Sequence, residues 1–400
     1  MSLKYDYVIV GAGIVGLAVA NEIKSRRPAS RIAVLEKESE LGRHASGRNS
    51  GVLHCGIYYA GDTVKAQVCA KGGKRMMQFA QEHSIPFEKS GKVILATSEG
   101  DMATVDRLLR NAAENGICAY KIDDAELHKF EPYAAHAAAA IYCPDTAVID
   151  SRTVLEQLRN LLSRQGVDFF WDCEVQTPLG EDRLKTSKGI FSFGFLFNCA
   201  GAYADTLAKK FGLARDLALI PFKGIYWKLS ERVNHLVRSN IYPVPDVSLP
   251  FLGVHLTRVI SGDVYVGPTA IPALGRENYG VLQGARIGEA AGILGRLAGM
   301  YLRNSNNFRK LAHAELGKYG KANFLSAAQR LVPCLVDEDL VHTPKAGIRP
   351  QLVNVRTHSL EMDYIFEQTE SSIHVLNSIS PAFTSSLAFA EMIVDRSNAV

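Results

Sequence analysis

The chain has 400 residues, 47% hydrophobic and 22% charged, with a formal net charge of +4. That is ordinary for a soluble enzyme with a large core, built as two domains or as one with a large insertion. The small net charge and the lack of a basic stretch interleaved with aromatics exclude a nucleic-acid binder. No apolar run reaches 18 residues, so no segment is predicted to span a bilayer. Met1-Ser-Leu-Lys leads straight into the first strand, so no signal peptide is expected. Seven scattered cysteines without a C-x-x-C pair predict reduced thiols and a cytoplasmic setting. No cluster has metal-ligand spacing, and no metal site is expected.

Asp6 to Val10 reads as a short buried strand, because it runs apolar without alternation. Gly11, Gly13 and Gly16 follow in G-x-G-x-x-G spacing and predict a helix over Ile14–Ser25 whose first amides face a pyrophosphate. A second strand, Arg31–Leu35, ends at Glu36, followed by Lys37. An acid about 20 residues past the last glycine is placed to bind ribose hydroxyls and disfavours a 2′-phosphate. The fingerprint alone leaves FAD or NAD(P) open. The next segment, through Ser46, Asn49, Ser50 and Gly51, is a polar Gly/Ser-rich loop, which fits a flavin better than a continuing run of βαβ units.

Helical patterns follow over Val64–His83 and Asp101–Asn115. A strand is read over Gly166–Val175, with Val175 at the adenine. Another buried strand runs from Phe195 to Ala200-Gly201, whose small residues admit a planar group. Alternating strands appear at Gly224–Leu229 and Val264–Gly267, with Pro243, Pro245 and Pro250 marking loops or sheet edges. Residues 281–331 read as helical. Ser378–Ser386 precedes a C-terminal helix over Leu387–Asp395, and Pro381, Thr384 and Ser385 are read as lying against the cofactor. The expected fold is α/β: a Rossmann-like FAD-binding domain of the glutathione-reductase type with an inserted sheet-based α+β substrate domain. Its expected pieces are residues 1–75, 145–215 and 340–400 for FAD, and 76–144 and 216–339 for substrate.

The glycine fingerprint, Asn198-Cys-Ala-Gly201 and the Ser-rich C-terminal segment resemble the FAD-dependent oxidoreductases of the D-amino-acid-oxidase type. More closely, Ser46–Tyr59, Tyr242–Arg258, Asp263–Ile271, Gly347–Leu352 and His374–Ala388 are similar to the L-2-hydroxyglutarate oxidases and dehydrogenases. The chain departs from them at His44-Ala-Ser-Gly-Arg48, where their loop carries His-Gln-Thr-Gly-His. The resemblance implies FAD, a small dicarboxylate substrate, and oxidation of L-2-hydroxyglutarate to 2-oxoglutarate by hydride transfer to flavin N5, with oxygen or a quinone as electron acceptor. The alternative is an oxidase or dehydrogenase of another small acid, an amino acid or glycerol 3-phosphate.

Such chemistry needs a base near neutral pH and clamps for two carboxylates. His54 is read as the base and His255 as the second candidate. Arg349, in Gly347-Ile-Arg-Pro350, resembles the carboxylate-holding Arg of the D-amino-acid oxidases. Arg258 and Lys223 are candidates for further positive charge, and Tyr58 and Tyr59 for hydroxyls at the substrate. From Arg296 to Arg330 there are seven Lys or Arg and one acid among apolar residues. This is read as a solvated basic face, or as a peripheral contact with an inner membrane surface.

Overall fold

The computed structural model describes residues 3–246, 251–316, 320–397 and 399–400, and the expected loop proline Pro250 lies outside them. The first strand, β1 (Leu3–Val10), pairs in parallel with β2 (Ile32–Leu35) on one side and with Gly189–Asn198 on the other. Its run of apolar residues follows from covered faces on both sides of the sheet. Ile9 belongs to the core built on α1 (Ile14–Arg26), while Val8 and Val10 belong to a second core with Phe191 and Leu196.

This sheet has eight strands, adding Val175–Pro178, Arg183–Thr186, Asp168–Phe170, Ser372–Leu376 and Ile365–Gln368. The expected strand over Gly166–Val175 is two strands, Asp168–Phe170 and Val175–Pro178. The chain turns at Asp172, whose φ of 48° is incompatible with a continuous strand.

The second sheet has ten strands. Its spine is Leu217–Leu229 paired antiparallel with Leu340–Asn354, from Leu217 opposite Asn354 to Leu229 opposite Leu340. His255–Arg258, Val264–Gly267, Asn240–Pro243 and Lys92–Ala96 extend it. Sheet membership therefore moves the expected boundary at residue 340. Residues 340–354 are a long strand of the ten-stranded sheet, paired at 340–342 and 346–354 on either side of an irregularity. Residues 76–82 complete α2 (Val64–Glu82), which shares a core with α1 and packs on the C-terminal helix.

That C-terminal helix is Ala382–Ser397, so it starts earlier than Leu387, and Thr384 and Ser385 are helical residues. It meets α2 at Gly72, where an added Cβ would lie 2.4 Å from Ser385 Cα.

The helices Ile287–Arg303, Phe308–Leu316 and Lys321–Gln329 occupy the region read as helical. Met300, Phe308 and Leu311 are buried against the Leu217–Leu229 spine, and Phe324 is buried in another core. Those apolar residues of 296–330 are therefore core rather than lipid-facing. Most of the exposed apolar side chains lie earlier, at Val281, Leu282, Ile287 and Leu294, and within the stretch Tyr301 and Leu302 are exposed. Among the described residues, no helix is long and apolar enough to cross a membrane.

Gly72→Val should destabilise the protein by about 1–3 kcal/mol, because backbone must yield where the two helices touch. Gly295→Ala, in a helix with open space at its Cβ, should be neutral or stabilising by about 0.5–1 kcal/mol. Urea unfolding of the two variants checks both signs.

Candidate active site

A cavity of about 790 Å³ runs from the tip of α1 to the ten-stranded sheet. Its nucleotide end is built by close backbone approach. An added Cβ on Gly16 would lie 2.0 Å from the Gly11 carbonyl oxygen, and one on Gly11 2.5 Å from that of Cys199. Only glycines allow α1 to start hard against β1 and the end of Gly189–Asn198. Gly13 caps α1 without a side chain, and the first turn carries no acid, so its amides face the cavity at a bare helix N-terminus. Ser46 Oγ accepts from the Ile14 amide at 3.0 Å.

Glu36 accepts from the Ala12 amide at 2.8 Å and the Glu38 amide at 3.0 Å, which holds its carboxylate at the cavity wall. A helix N-terminus for a pyrophosphate and a positioned acid for a ribose, in a cleft of cofactor size, fit a dinucleotide.

Gly11, Gly13, Ile14, Glu36, Lys37, Ser46, Asn49, Ser50, Val175, Ala200, Gly201, Pro381 and Thr384 all line this cavity. Three residues read as cofactor contacts do not. Gly16 serves the helix–strand approach. Gly51, at φ 73°, turns the loop back with an added Cβ 2.4 Å from the Ile149 carbonyl oxygen. Ser385 is buried behind the wall, donating to the Pro381 carbonyl and contacting Tyr364 Oη at 3.2 Å.

Sequence reasoning missed a strap over the nucleotide end. Glu277 pairs with Lys37 at 2.6 Å and accepts from Tyr203 Oη at 2.8 Å. Arg276 forks onto Asp205 at 2.6 and 3.1 Å. Tyr279 Oη meets His44 Nδ1 at 2.9 Å and lies under the Arg48 guanidinium, 4.1 Å from the ring centre. Burial pushes the Glu277 carboxyl up, but Lys37 and Tyr203 more than offset it and hold it below the usual range. The strap comes from the chain that follows the ten-stranded sheet's Val264–Gly267 and grips the other half. Residues 270–280 carry no periodic pattern that would have marked it.

At the other end the walls are His54, Tyr58, Tyr59, Tyr226, Tyr242, Phe251, His255 and Arg349. His54 is anchored by its backbone, whose amide donates to Thr384 Oγ1 at 3.2 Å. Burial, with Lys92 and His255 nearby, pushes its imidazole down to about 3. His255 stacks on Tyr242 with ring centres 3.8 Å apart, and its Nδ1 donates to the Gly253 carbonyl at 2.8 Å. Nε2 is then the acceptor nitrogen. Burial pushes His255 down to about 3 as well.

Arg349 is half-buried in this wall, and desolvation lowers its pKa. Its Nη1 donates to the Thr269 carbonyl at 2.9 Å, and no carboxylate forms a salt bridge with it among the described residues. Behind this wall Lys92 is wholly buried, with Nζ 3.9 Å from Cys55 Sγ and over the Tyr58 and Tyr242 rings. Its segment, Lys-Val-Ile-Leu-Ala, reads only as a strand.

Lys223 and Arg258 are not brought to the cavity, and strand alternation is the reason. Gly224 and Tyr226 line it, so Lys223 points to the opposite face, where Nζ donates to the Gly280 carbonyl at 2.7 Å. Arg258, three residues from His255, also faces away, with its Nη1 3.5 Å from the Val237 carbonyl oxygen. His374 bridges Asn198 and Ser372 inside the core, and burial pushes its imidazole down to about 4.

Three histidines thus stay neutral in the folded state where the unfolded chain, at about 6.5, takes up protons. Their stabilisation is complete above pH 6.5 and is lost as pH falls toward 4. Unfolding free energy should drop between pH 7 and pH 5 by about 1.4 kcal/mol per pH unit per histidine below 6.5. His374→Gln should shallow that slope; equal stability at both pH values would contradict the assignment.

A family model of FAD dependent oxidoreductases matches residues 6–396. An L-2-hydroxyglutarate dehydrogenase of Indibacter alkaliphilus is 37% identical over 401 residues, covering 98% of each chain. That of Escherichia coli K12 is 34% identical, covering 98% of this chain and 93% of its own. The mitochondrial human enzyme of the same name is 33% identical, covering 98% and 88%. In fold, the chain is similar to the FAD-bound L-alpha-glycerophosphate oxidase of Mycoplasma pneumoniae. The TM-score is 0.79 at 21% identity, covering 99% of this chain and 95% of the other. A glycine oxidase of Geobacillus kaustophilus superposes with a TM-score of 0.73 at 18% identity, covering 99% and 95%. With its nucleotide cradle at one end and its half-buried guanidinium and its imidazoles at the other, the chain belongs to the FAD-dependent oxidoreductase family.

Proposed function

We propose that the protein oxidises L-2-hydroxyglutarate to 2-oxoglutarate, with FAD as cofactor. The observation that carries this reading is the end-to-end likeness to dehydrogenases of that name, in a chain whose cavity holds an unpaired guanidinium beside two neutral imidazoles. The eight-stranded sheet and its helices form the FAD-binding half, and the ten-stranded sheet forms the substrate half.

When bound, FAD supplies the hydride acceptor. The α1 amides and Glu36 hold its pyrophosphate and ribose. Arg349 holds the carboxylate next to the reacting carbon, in a bidentate fork where its second edge is free of acids. His54 takes the hydroxyl proton on a ring nitrogen; His255, with Nε2 as acceptor, is the second candidate. Both imidazoles are poor bases in the empty cavity. A bound dianion favours imidazolium and raises their basicity when substrate is in place. The aromatic wall of Tyr58, Tyr226, Tyr242 and Phe251 keeps the site dry, which strengthens each of these interactions.

Oxygen is one candidate acceptor for the electrons. A quinone is the other, reached from a bilayer surface through the exposed Val281–Arg303 segment, which also carries Arg286, Arg296 and Arg303.

Anaerobic L-2-hydroxyglutarate should bleach the visible absorbance of the yellow holoenzyme, whereas amino acids and glycerol 3-phosphate should leave it coloured. Bleaching by an amino acid alone would select the alternative small-acid reading. Reoxidation by air or by a quinone analogue then assigns the acceptor. His54→Gln should slow the bleaching by about 100-fold or more while leaving the spectrum intact; a larger effect of His255→Gln would move the base to that residue.

The strap makes a separate prediction. Glu277→Ala removes the partner of Lys37 and Tyr203, so FAD should dissociate several-fold faster, with less dependence on salt. Release followed by flavin fluorescence after dilution checks this.

A further inference from the structure

A dicarboxylate needs a second clamp, and neither Lys223 nor Arg258 reaches the cavity. Seven lysines and arginines do line it. Six are already engaged. Lys37 is paired with Glu277, and Arg276 with Asp205. Arg48 donates to the Arg43 carbonyl and covers Tyr279. Lys65 donates to the Met362 carbonyl at 2.6 Å, and Lys210 to that of Gln176. Arg349 is already assigned to the first carboxylate. The seventh is Arg107, which has no hydrogen bond, ion pair or ring contact among the described residues.

Arg107 sits on the helix Met102–Glu114, which no motif singled out. Val105, Leu108 and Ala112 bury one face of that helix under Ile57 and Tyr58. Arg107 and Asn111, one turn apart, come to the cavity beside that buried face. Asn111 Nδ2 donates to the Ile57 carbonyl at 3.4 Å, which ties this helix to the loop carrying His54 and Tyr58. Asp246 lines the same mouth, but Lys310 pairs with it at 2.7 Å. Among the described residues, no salt bridge engages Arg107 or Arg349 at this end.

Resting on the substrate reading above, we infer that Arg107 is the clamp for the distal carboxylate and the residue that selects a dicarboxylate over a monocarboxylate. Arg349 lies beside His255 on the ten-stranded sheet and Arg107 on the flanking helix, so the dianion lies with its reacting end at the imidazoles and its distal carboxylate toward the helix. An arginine left without a partner in the free protein gives up no internal contact when the carboxylate arrives. A ligand lacking that carboxylate leaves Arg107 in its free-state environment, so discrimination comes from the added contact alone.

The test uses holoenzyme and two unreactive ligands, glutarate and butyrate, titrated by their perturbation of the visible flavin spectrum. The wild-type protein should bind glutarate more tightly. Arg107→Gln should weaken glutarate by about 10- to 100-fold, the range for hydrogen bonds to a charged group, and leave butyrate within about twofold. Arg107→Lys should recover part of the glutarate affinity. Equal losses for both ligands, or an unchanged preference for glutarate in Arg107→Gln, would overturn the inference. If L-2-hydroxyglutarate still bleaches the wild-type protein, the substrate reading survives that failure. If it does not, the substrate reading falls first.

Discussion

A half-buried guanidinium, with no salt bridge to a carboxylate among the described residues, is the constraint on which the site depends. Taking Arg349 partly out of water costs free energy, and one hydrogen bond to the Thr269 carbonyl offsets only part of that. The fold holds it there because it projects from Leu340–Asn354, where Ala346–Asn354 pair without a break against Leu217–Ile225. Strain at the site is spread over a sheet that has little freedom to yield. Burial, with Lys92, keeps both neighbouring imidazoles neutral, and Arg349 adds to this at His255. An anion entering the cavity compensates the arginine and raises the basicity of the imidazoles in one step. Binding and proton acceptance are thereby coupled electrostatically.

The other end of the cavity is set by steric rather than electrostatic limits. Gly11 and Gly16 let α1 begin where any side chain would collide with backbone, and the bare N-terminus follows from that. The two ends belong to different sheets. What joins them is the strap through Arg276, Glu277 and Tyr279, together with the seating of His54 on Thr384 of the C-terminal helix. Cofactor retention and placement of the imidazole against the cofactor both depend on these contacts between the halves.

The nucleotide end was legible because its physics is local. Glycine spacing, an unalternating strand and an acid at fixed distance each report a backbone requirement within about thirty residues of chain. The substrate end was legible only in part. Resemblance brought out His54, His255 and Arg349, but Lys223 and Arg258 were read without knowing which strand face turns inward, and one residue of parity sends a side chain to the wrong side. Arg107, Lys92 and Glu277 left no local mark. Arg107 looks like any solvated helix arginine until its helix is placed beside Tyr58, and Lys92 opens an ordinary strand. The stretch 296–330 left a solvated face and a membrane contact both open, because pattern alone does not say that Met300, Phe308 and Leu311 pack under the Leu217–Leu229 spine while Leu302 stays exposed.

The most direct test of this account is the substrate dissociation constant of Arg349→Met holoenzyme, taken from the concentration dependence of anaerobic bleaching by L-2-hydroxyglutarate. A bidentate, desolvated carboxylate clamp predicts weakening by about 30-fold or more. A dissociation constant equal to that of the wild-type protein would show that the half-buried guanidinium does not hold the substrate.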